Sequence, residues 1–176
     1  HLSLRRQRQM CIRDSYKAAV LAARTLIEKD PDYTFATARL LFHTIAKEVF
    51  GRDVQPNDMQ QAYMDYFPGF IKKGVENDLL DERLMQYDLK RLAAALKAER
   101  DLQFDYLGLQ TLYDRYFLHV RKTRIELPQS FFMRVAMGLA LNEIDREARA
   151  IEFYEVLSSF DFMSSTPTLF NSGSLR

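Results

Sequence analysis

Ser164-Ser165-Thr166-Pro167-Thr168-Leu169-Phe170-Asn171-Ser172-Gly173 closes the chain and sets the reading of everything before it. An apolar lead-in, Phe160-Asp161-Phe162-Met163, precedes it and reads as a short strand. Hydroxyls, a proline and a Gly-terminated turn follow. A chain leaving a buried strand in this way presents several hydroxyls and backbone N–H groups together. Convergent donors with no acidic side chain among them suit an anion such as phosphate. The plainer alternative is a loop whose Ser, Thr, Pro and Gly satisfy their own backbone. The residues by themselves leave both readings open.

Composition narrows the class. The 176 residues suffice for one domain with a real core. Lys+Arg 25 against Asp+Glu 24 leaves a net charge of +1, which gives no support to a nucleic-acid partner. A hydrophobic share of 47%, with 13 Phe and 9 Tyr, fits a packed interior and not a disordered tail. The single cysteine, Cys11, has no partner for an internal disulfide, so a reducing, cytoplasmic setting is expected. No apolar run approaches the roughly 20 residues of a membrane helix, so no membrane partner is expected.

Residues 1–15 are basic, lack a helical apolar face and read as a non-native leader. From Tyr16 to Lys29, Ala19, Ala22, Ala23, Leu26 and Ile27 recur at helical spacing, and Asp30-Pro31-Asp32 stops the run. A second helix is expected over 34–50, with the stripe Ala38, Leu41, Phe42, Ile45 and Val49 and a stop at Gly51. His43 reads as a packed or surface histidine. Arg52 to Asn57 reads as a linker. A helix over 58–75 carries Met59, Ala62, Tyr63 and Tyr66 and is expected to bend or break near Pro68-Gly69. Asn77-Asp78 and Asp88 read as caps of short helices. Glu99-Arg100-Asp101 reads as a solvated face, without the neighbours that tune an acid.

Helical spacing returns over 104–116. Phe117-Leu118-His119-Val120 and Thr123-Arg124-Ile125-Glu126 then form the two arms of a hairpin around Arg121-Lys122, with His119 a strand residue and not a ligand. Pro128 opens a helix whose Phe132, Val135, Ala136 and Leu139 face inward. A last helix over 145–159 buries Ala150, Phe153, Leu157 and Phe160, with Glu147, Arg149 and Glu152 toward water. None of the familiar signatures of metal-dependent, nucleophilic or nucleotide-binding chemistry occurs. The fold class is therefore mainly α with one short β-hairpin. On residues alone, a self-contained helical interaction or regulatory module fits as an alternative.

Three runs carry a family resemblance. Tyr106-Leu107-Gly108-Leu109-Gln110-Thr111-Leu112-Tyr113-Asp114-Arg115-Tyr116 is one. Ile125-Glu126-Leu127-Pro128-Gln129 with Met133-Arg134-Val135-Ala136-Met137-Gly138 is another. The third is Phe153-Tyr154-Glu155-Val156-Leu157-Ser158-Ser159-Phe160 with Ser165 to Gly173. From about Tyr16 onward the chain resembles the large, catalytic subunit of class I ribonucleotide reductase, where its helical N-terminal domain enters the catalytic barrel.

After the leader over 1–15, that resemblance implies three segments: the C-terminal helices of an ATP-cone-like domain over 16–51, the all-α domain over 57–160, and the first strand of a truncated barrel over 161–176. It implies reduction of ribonucleoside diphosphates to deoxyribonucleotides by thiyl-radical chemistry for DNA synthesis. The catalytic cysteines would lie downstream of Arg176, so no catalytic residue and no metal ligand is expected here, and the fragment alone would be inactive. Thr166 matches the family position that contacts substrate phosphates; Ser165 and Thr168 are weaker candidates. Lys47 falls where the family places a basic residue toward an ATP or dATP effector, although the strand that closes over that nucleotide has no counterpart here. The implied partners are a radical-generating small subunit with a di-iron or di-manganese centre, a second large subunit and a thioredoxin- or glutaredoxin-type reductant. A fragment cut at this point is expected to leave Phe160, Phe162, Leu169 and Phe170 uncovered.

Overall fold

Apolar residues at three- and four-residue spacing draw most of this chain into helices that bury one face each. The computed structural model describes residues 15–175; the expected leader, with Cys11, lies outside them but for Ser15. α1 covers residues 15–24 and gives way to turns through residue 29. Its buried residue is Val20, whereas Ala22 is exposed. α2 (Tyr33–Phe50) ends at Gly51, whose φ of 70° is the left-handed conformation glycine adopts without strain. Thr37, Ala38, Leu41, Ile45 and Ala46 form its buried stripe, and it packs on α5 and the hairpin.

α3 (Met59–Glu76) carries Met59, Ala62, Tyr63, Phe67, Phe70 and Ile71 into the core. Of the expected bend or break at Pro68, no break occurs: the helix runs through, because packing on both sides of the proline outweighs one lost backbone hydrogen bond. The cap expected at Asn77-Asp78 is instead Asp81: its carboxylate accepts from the Arg83 amide at 2.9 Å and starts the 3₁₀ turn Glu82–Gln86. Asp78 sits at φ 54°, in the turn that follows α3. Asp88 caps α4 (Leu89–Ala95) through the Arg91 amide at 3.0 Å, as its position suggests. A further 3₁₀ segment, Ala98–Gln103, leads to α5 (Tyr106–Thr111), which a π turn extends over Leu112–Tyr116.

The hairpin forms where expected. β1 (His119–Val120) pairs antiparallel with β2 (Thr123–Arg124), and Arg121 and Lys122 take positive φ between them. α6 (Pro128–Leu139) is the central helix, with ten consecutive residues from Pro128 to Met137 buried. A helix buried on every side is the centre of a core and not a surface stripe, and its polar Gln129, Ser130 and Arg134 are buried with the rest. Leu139, expected inward, is exposed, although Ala140 beside it is fully buried. α7 (Arg146–Ser158) lies against α6 and buries Ala150, Tyr154 and Leu157. Asp145 caps it by accepting from the Ala148 amide. Phe160, expected inward, is 38% exposed and turns back to meet Phe104 edge-on at 5.0 Å.

The expected strand over 160–163 does not form. Phe160 has φ 64°, which ends α7 in a left-handed turn, and the Phe162 amide folds back onto the Val156 carbonyl. Nor is the stretch after it a loop: α8 (Thr166–Asn171) is helical. Among the described residues, extended pairing at this end is confined to one bridge, Leu80 to Ser174.

Candidate functional site

Ser165 is extended at φ −62°, ψ 154° and stands as the N-cap of α8. Pro167 sits in the first turn, where its missing N–H removes no helical hydrogen bond. The Leu169 amide closes the first turn on the Ser165 carbonyl at 3.1 Å. Three hydroxyls gather at this start. The Ser165 and Thr168 hydroxyl oxygens are 3.3 Å apart, and Thr166 Oγ1 lies 3.1 Å from the Tyr116 hydroxyl. Ser165 and Thr166 are exposed, and Thr168 is half-buried. The Tyr116 ring stacks on Phe170 at 4.6 Å, so one tyrosine braces α8 by both its ring and its hydroxyl.

The other end of α8 is fixed from beneath. Arg134 and Glu126 are both fully buried. Arg134 Nε donates to Glu126 Oε1 at 2.8 Å and Nη2 donates to Oε2 at 3.3 Å. Nη1 reaches up and donates to the carbonyls of Leu169 at 3.1 Å and Ser172 at 2.9 Å. These carbonyls belong to the C-terminal turn of α8, where acceptors lack intrahelical donors and a cation is favoured. Glu126 Oε2 also accepts from the Leu118 amide at 2.8 Å, which ties the pair to the chain entering β1. The Phe131 ring lies 5.1 Å from the guanidinium.

Beyond α8, Gly173 has φ 74°, and a Cβ there would stand 2.8 Å from the Arg134 carbonyl. A Cβ on Gly138 would collide with the Gly173 backbone nitrogen and the Ser172 hydroxyl. The two glycines thus let the chain end lie directly on the α6 backbone. Ser172 Oγ donates to the Val135 carbonyl at 2.7 Å, and the Asp81 amide donates to the Gly173 carbonyl at 3.1 Å. Because α8 is seated this way, Leu169 is 4% exposed and Phe170 is packed on Tyr116, so neither is uncovered as the sequence suggested. Phe160, Phe162 and Met163 do remain exposed.

A second polar cluster lies under the 3₁₀ segment. Asp101, which reads from sequence as solvated, is buried. Its Oδ2 accepts from the Tyr63 hydroxyl at 2.7 Å and its Oδ1 from the Gln129 side-chain amide at 2.8 Å. Tyr154 donates to Gln129 Oε1 at 2.6 Å and accepts from the Lys97 amide at 2.9 Å. Burial pushes the Asp101 carboxyl up to about 7, against the lowering from its two hydrogen bonds. Burial likewise pushes the Tyr63 and Tyr154 hydroxyls well above their ordinary range. Asp101 borders a cleft of about 730 Å³ that Arg39, Phe42, His43, Met59 and Leu96 also line.

Lys47 lies in the last turn of α2, paired with Asp53 Oδ2 at 2.9 Å, with its ammonium 5.8 Å from the Tyr16 ring. His43 Nε2 stands 3.7 Å from the same Asp53, and its ring faces Tyr16 at 4.8 Å. Among the described residues no group of His, Cys, Asp or Glu is arranged to hold a metal, and no helix is long and apolar enough to cross a membrane.

The structure brings Ser165, Thr166 and Thr168 together and sets Lys47 on a different helix. Sequence reasoning assigned no role to Tyr116, Glu126, Arg134 or Asp101. The available signal for Arg134 was a lone cation inside Phe131-Phe132-Met133-Arg134-Val135-Ala136-Met137, a run that must be buried.

Residues 102–176 match the family model described as ribonucleotide reductase, all-alpha domain. The chain is 50% identical over 156 residues to the ribonucleoside-diphosphate reductase subunit alpha of Chlamydia trachomatis, covering 89% of this chain and 15% of that protein. It is 41% identical over 142 residues to the subunit alpha of Helicobacter pylori, covering 80% of this chain and 17% of that protein. The large subunit of Plasmodium falciparum is 31% identical over 159 residues, covering 89% of this chain and 19% of that protein. The chain thus spans 15% to 19% of the length of these three relatives. It belongs to the ribonucleotide reductase large-subunit family, and its residues 102–176 fall in that family's all-alpha domain.

Proposed function

We propose that this chain is the helical N-terminal part of a ribonucleoside-diphosphate reductase large subunit, and that α8 presents its hydroxyls to the substrate's phosphates. The observation that carries this reading is the polarity of α8: its C-terminal carbonyls are consumed by Arg134, while the Ser165 and Thr166 hydroxyls stand exposed at the opposite end. A hydroxyl donates one hydrogen bond to a phosphate oxygen without adding charge. Tyr116 holds Thr166 from the side, and Pro167 stiffens the turn.

In this reading residues 16–51 are the closing helices of an ATP-cone-like domain, residues 57–160 form the all-α layer, and residues 161–176 lead into the catalytic barrel. The barrel supplies the cysteines that reduce the ribose. The radical originates on a metal-bearing small subunit, a second large subunit completes the dimer, and a thioredoxin- or glutaredoxin-type protein restores the thiols. The setting is the cytoplasm. Lys47, at the end of α2, is the effector-side residue, and its pairing with Asp53 leaves it half-exposed.

The test is Thr166→Val in the full-length subunit. Loss of one hydrogen bond to a charged group costs about 1.5–3 kcal/mol, or tenfold and more in affinity for a ribonucleoside diphosphate. An unchanged KM, with an unchanged melting midpoint, removes Thr166 from the site.

A further inference from the structure

We infer that Arg134, oriented by Glu126, is a positioning residue for the phosphate-facing hydroxyls of α8, an inference that rests on the reading of Thr166 given above. Arg134 touches no exposed surface, so it does not meet a ligand itself. Its guanidinium is divided between two tasks. One edge is locked on the Glu126 carboxylate by two N–H donors, and Nη1 grips the carbonyls of Leu169 and Ser172. Glu126 is locked in turn by the Leu118 amide. The grip therefore refers the position of α8 to the chain at β1 and to the centre of α6, the most buried helix of the molecule.

The planar fork of arginine makes this geometry possible. A lysine supplies the charge but has one nitrogen, and it cannot hold a carboxylate edge and two carbonyls in fixed directions. A stability role alone would need only that the buried charge be neutralised, and many apolar pairs of similar volume meet that need. Two features instead point to placement. Gly138 and Gly173 bring the backbone of the chain end directly onto α6, and Ser172 Oγ adds its own bond to Val135. Three separate contacts thus fix the C-terminal end of a six-residue helix whose exposed end carries Thr166. Moving that helix by an ångström moves the hydroxyl by the same amount, and displacements of this size cost up to about 10²-fold in reactions that depend on placement.

The experiment compares Arg134→Lys with Thr166→Val in the full-length subunit with its small subunit present, measuring KM and kcat for a ribonucleoside diphosphate. Arg134→Lys is expected to raise KM about tenfold with kcat lowered less, since the hydroxyl is displaced and the reacting centre is not. A role in folding only would reduce the active fraction, lower apparent kcat and leave KM unchanged. Because a buried lysine can fail to fold, the double variant Glu126→Leu/Arg134→Met is measured beside it. This variant removes both charges and the carbonyl grip together, and its KM is expected to rise equally. If Thr166→Val raises KM while both Arg134 variants leave it unchanged, the positioning inference is overturned and the phosphate reading stands. If none of the three raises KM, the phosphate reading is overturned and the inference with it.

Discussion

Glu126 and Asp101 are both carboxylates taken out of water in the same core, and they are compensated in opposite ways. Glu126 meets an opposite charge, the Arg134 guanidinium at 2.8 Å, and a backbone amide. Asp101 meets only neutral donors, a tyrosine hydroxyl and a side-chain amide. Hydrogen bonds from neutral groups do not replace the hydration of a full charge, so burial pushes Asp101 up to about 7. The contrast separates two uses of a buried acid. The pair at Glu126 aims donors at something else, the carbonyls of α8. The cluster at Asp101 spends its bonds internally and stitches α3, α6 and α7 through Tyr63, Gln129 and Tyr154.

The largest effect that would break this contrast is on the charged side. Arg134→Met leaves Glu126 buried beside an apolar chain. Removing one partner of a buried pair destabilises by about 3–5 kcal/mol, whereas replacing both by apolar residues is often near neutral. Urea unfolding should therefore show Arg134→Met far less stable than Glu126→Leu/Arg134→Met. Equal losses in the two variants would mean that Glu126 finds another donor, and the distinction from Asp101 would weaken.

The neutral side predicts a pH signature. The folded value for Asp101, about 7, lies above the ordinary carboxylate value of 3.8. Between these values the unfolded chain has released the proton and the folded chain retains it. The folded state binds more protons, so stability falls as pH rises through this window, by up to about 1.4 kcal/mol per unit. Arg83 lowers Asp81, and Lys97 and Arg100 lower Glu155 against the burial that raises it, so the contributions of these two carboxylates change at more acid pH. Melting midpoints measured from pH 5 to 8 should fall for the native chain and stay level for Asp101→Asn. A level profile in both would return Asp101 to the solvated face that its neighbours Glu99 and Arg100 suggest.

That misreading has a physical source. The local sequence around Asp101 is charged, and its partners arrive from 38 and 28 residues away, so no local pattern reports its burial. The helices were legible for the opposite reason: the stripe of α2, the glycine after it and the Pro128 start of α6 are local signals that tertiary packing reinforces. The hairpin was legible from its β-favouring arms around Arg121-Lys122. α8 was not, since its six residues hold only two adjacent apolar ones, Leu169 and Phe170, too few to show a period, and what holds them helical is Arg134 below and Tyr116 beside them. Ser165 and Thr166 carry exposed hydroxyls, but at the start of a helix where the sequence suggested a turn. Pro68 misled in the other direction, because its local penalty is offset by Phe67, Phe70 and Ile71 packed around it.

The smallest effect tests whether α8 is held mainly from beneath. Tyr116→Phe removes the hydroxyl that meets Thr166 and keeps the ring stacked on Phe170. The bond is exposed, so water replaces it, and its loss should cost about 0.5–1.5 kcal/mol at most. If Arg134 and the Gly138–Gly173 contact fix the helix, amide hydrogen exchange across residues 169–173 should be unchanged in Tyr116→Phe and faster in Arg134→Lys. Faster exchange in both variants would make Tyr116 an equal anchor, and α8 would then be clamped between a buried charge and a surface hydroxyl. Since Thr166 accepts or donates only one strong bond to Tyr116, freeing it should also change its affinity for phosphate far less than Arg134→Lys does. The two variants together distinguish a hydroxyl placed by its helix from one placed by its neighbour.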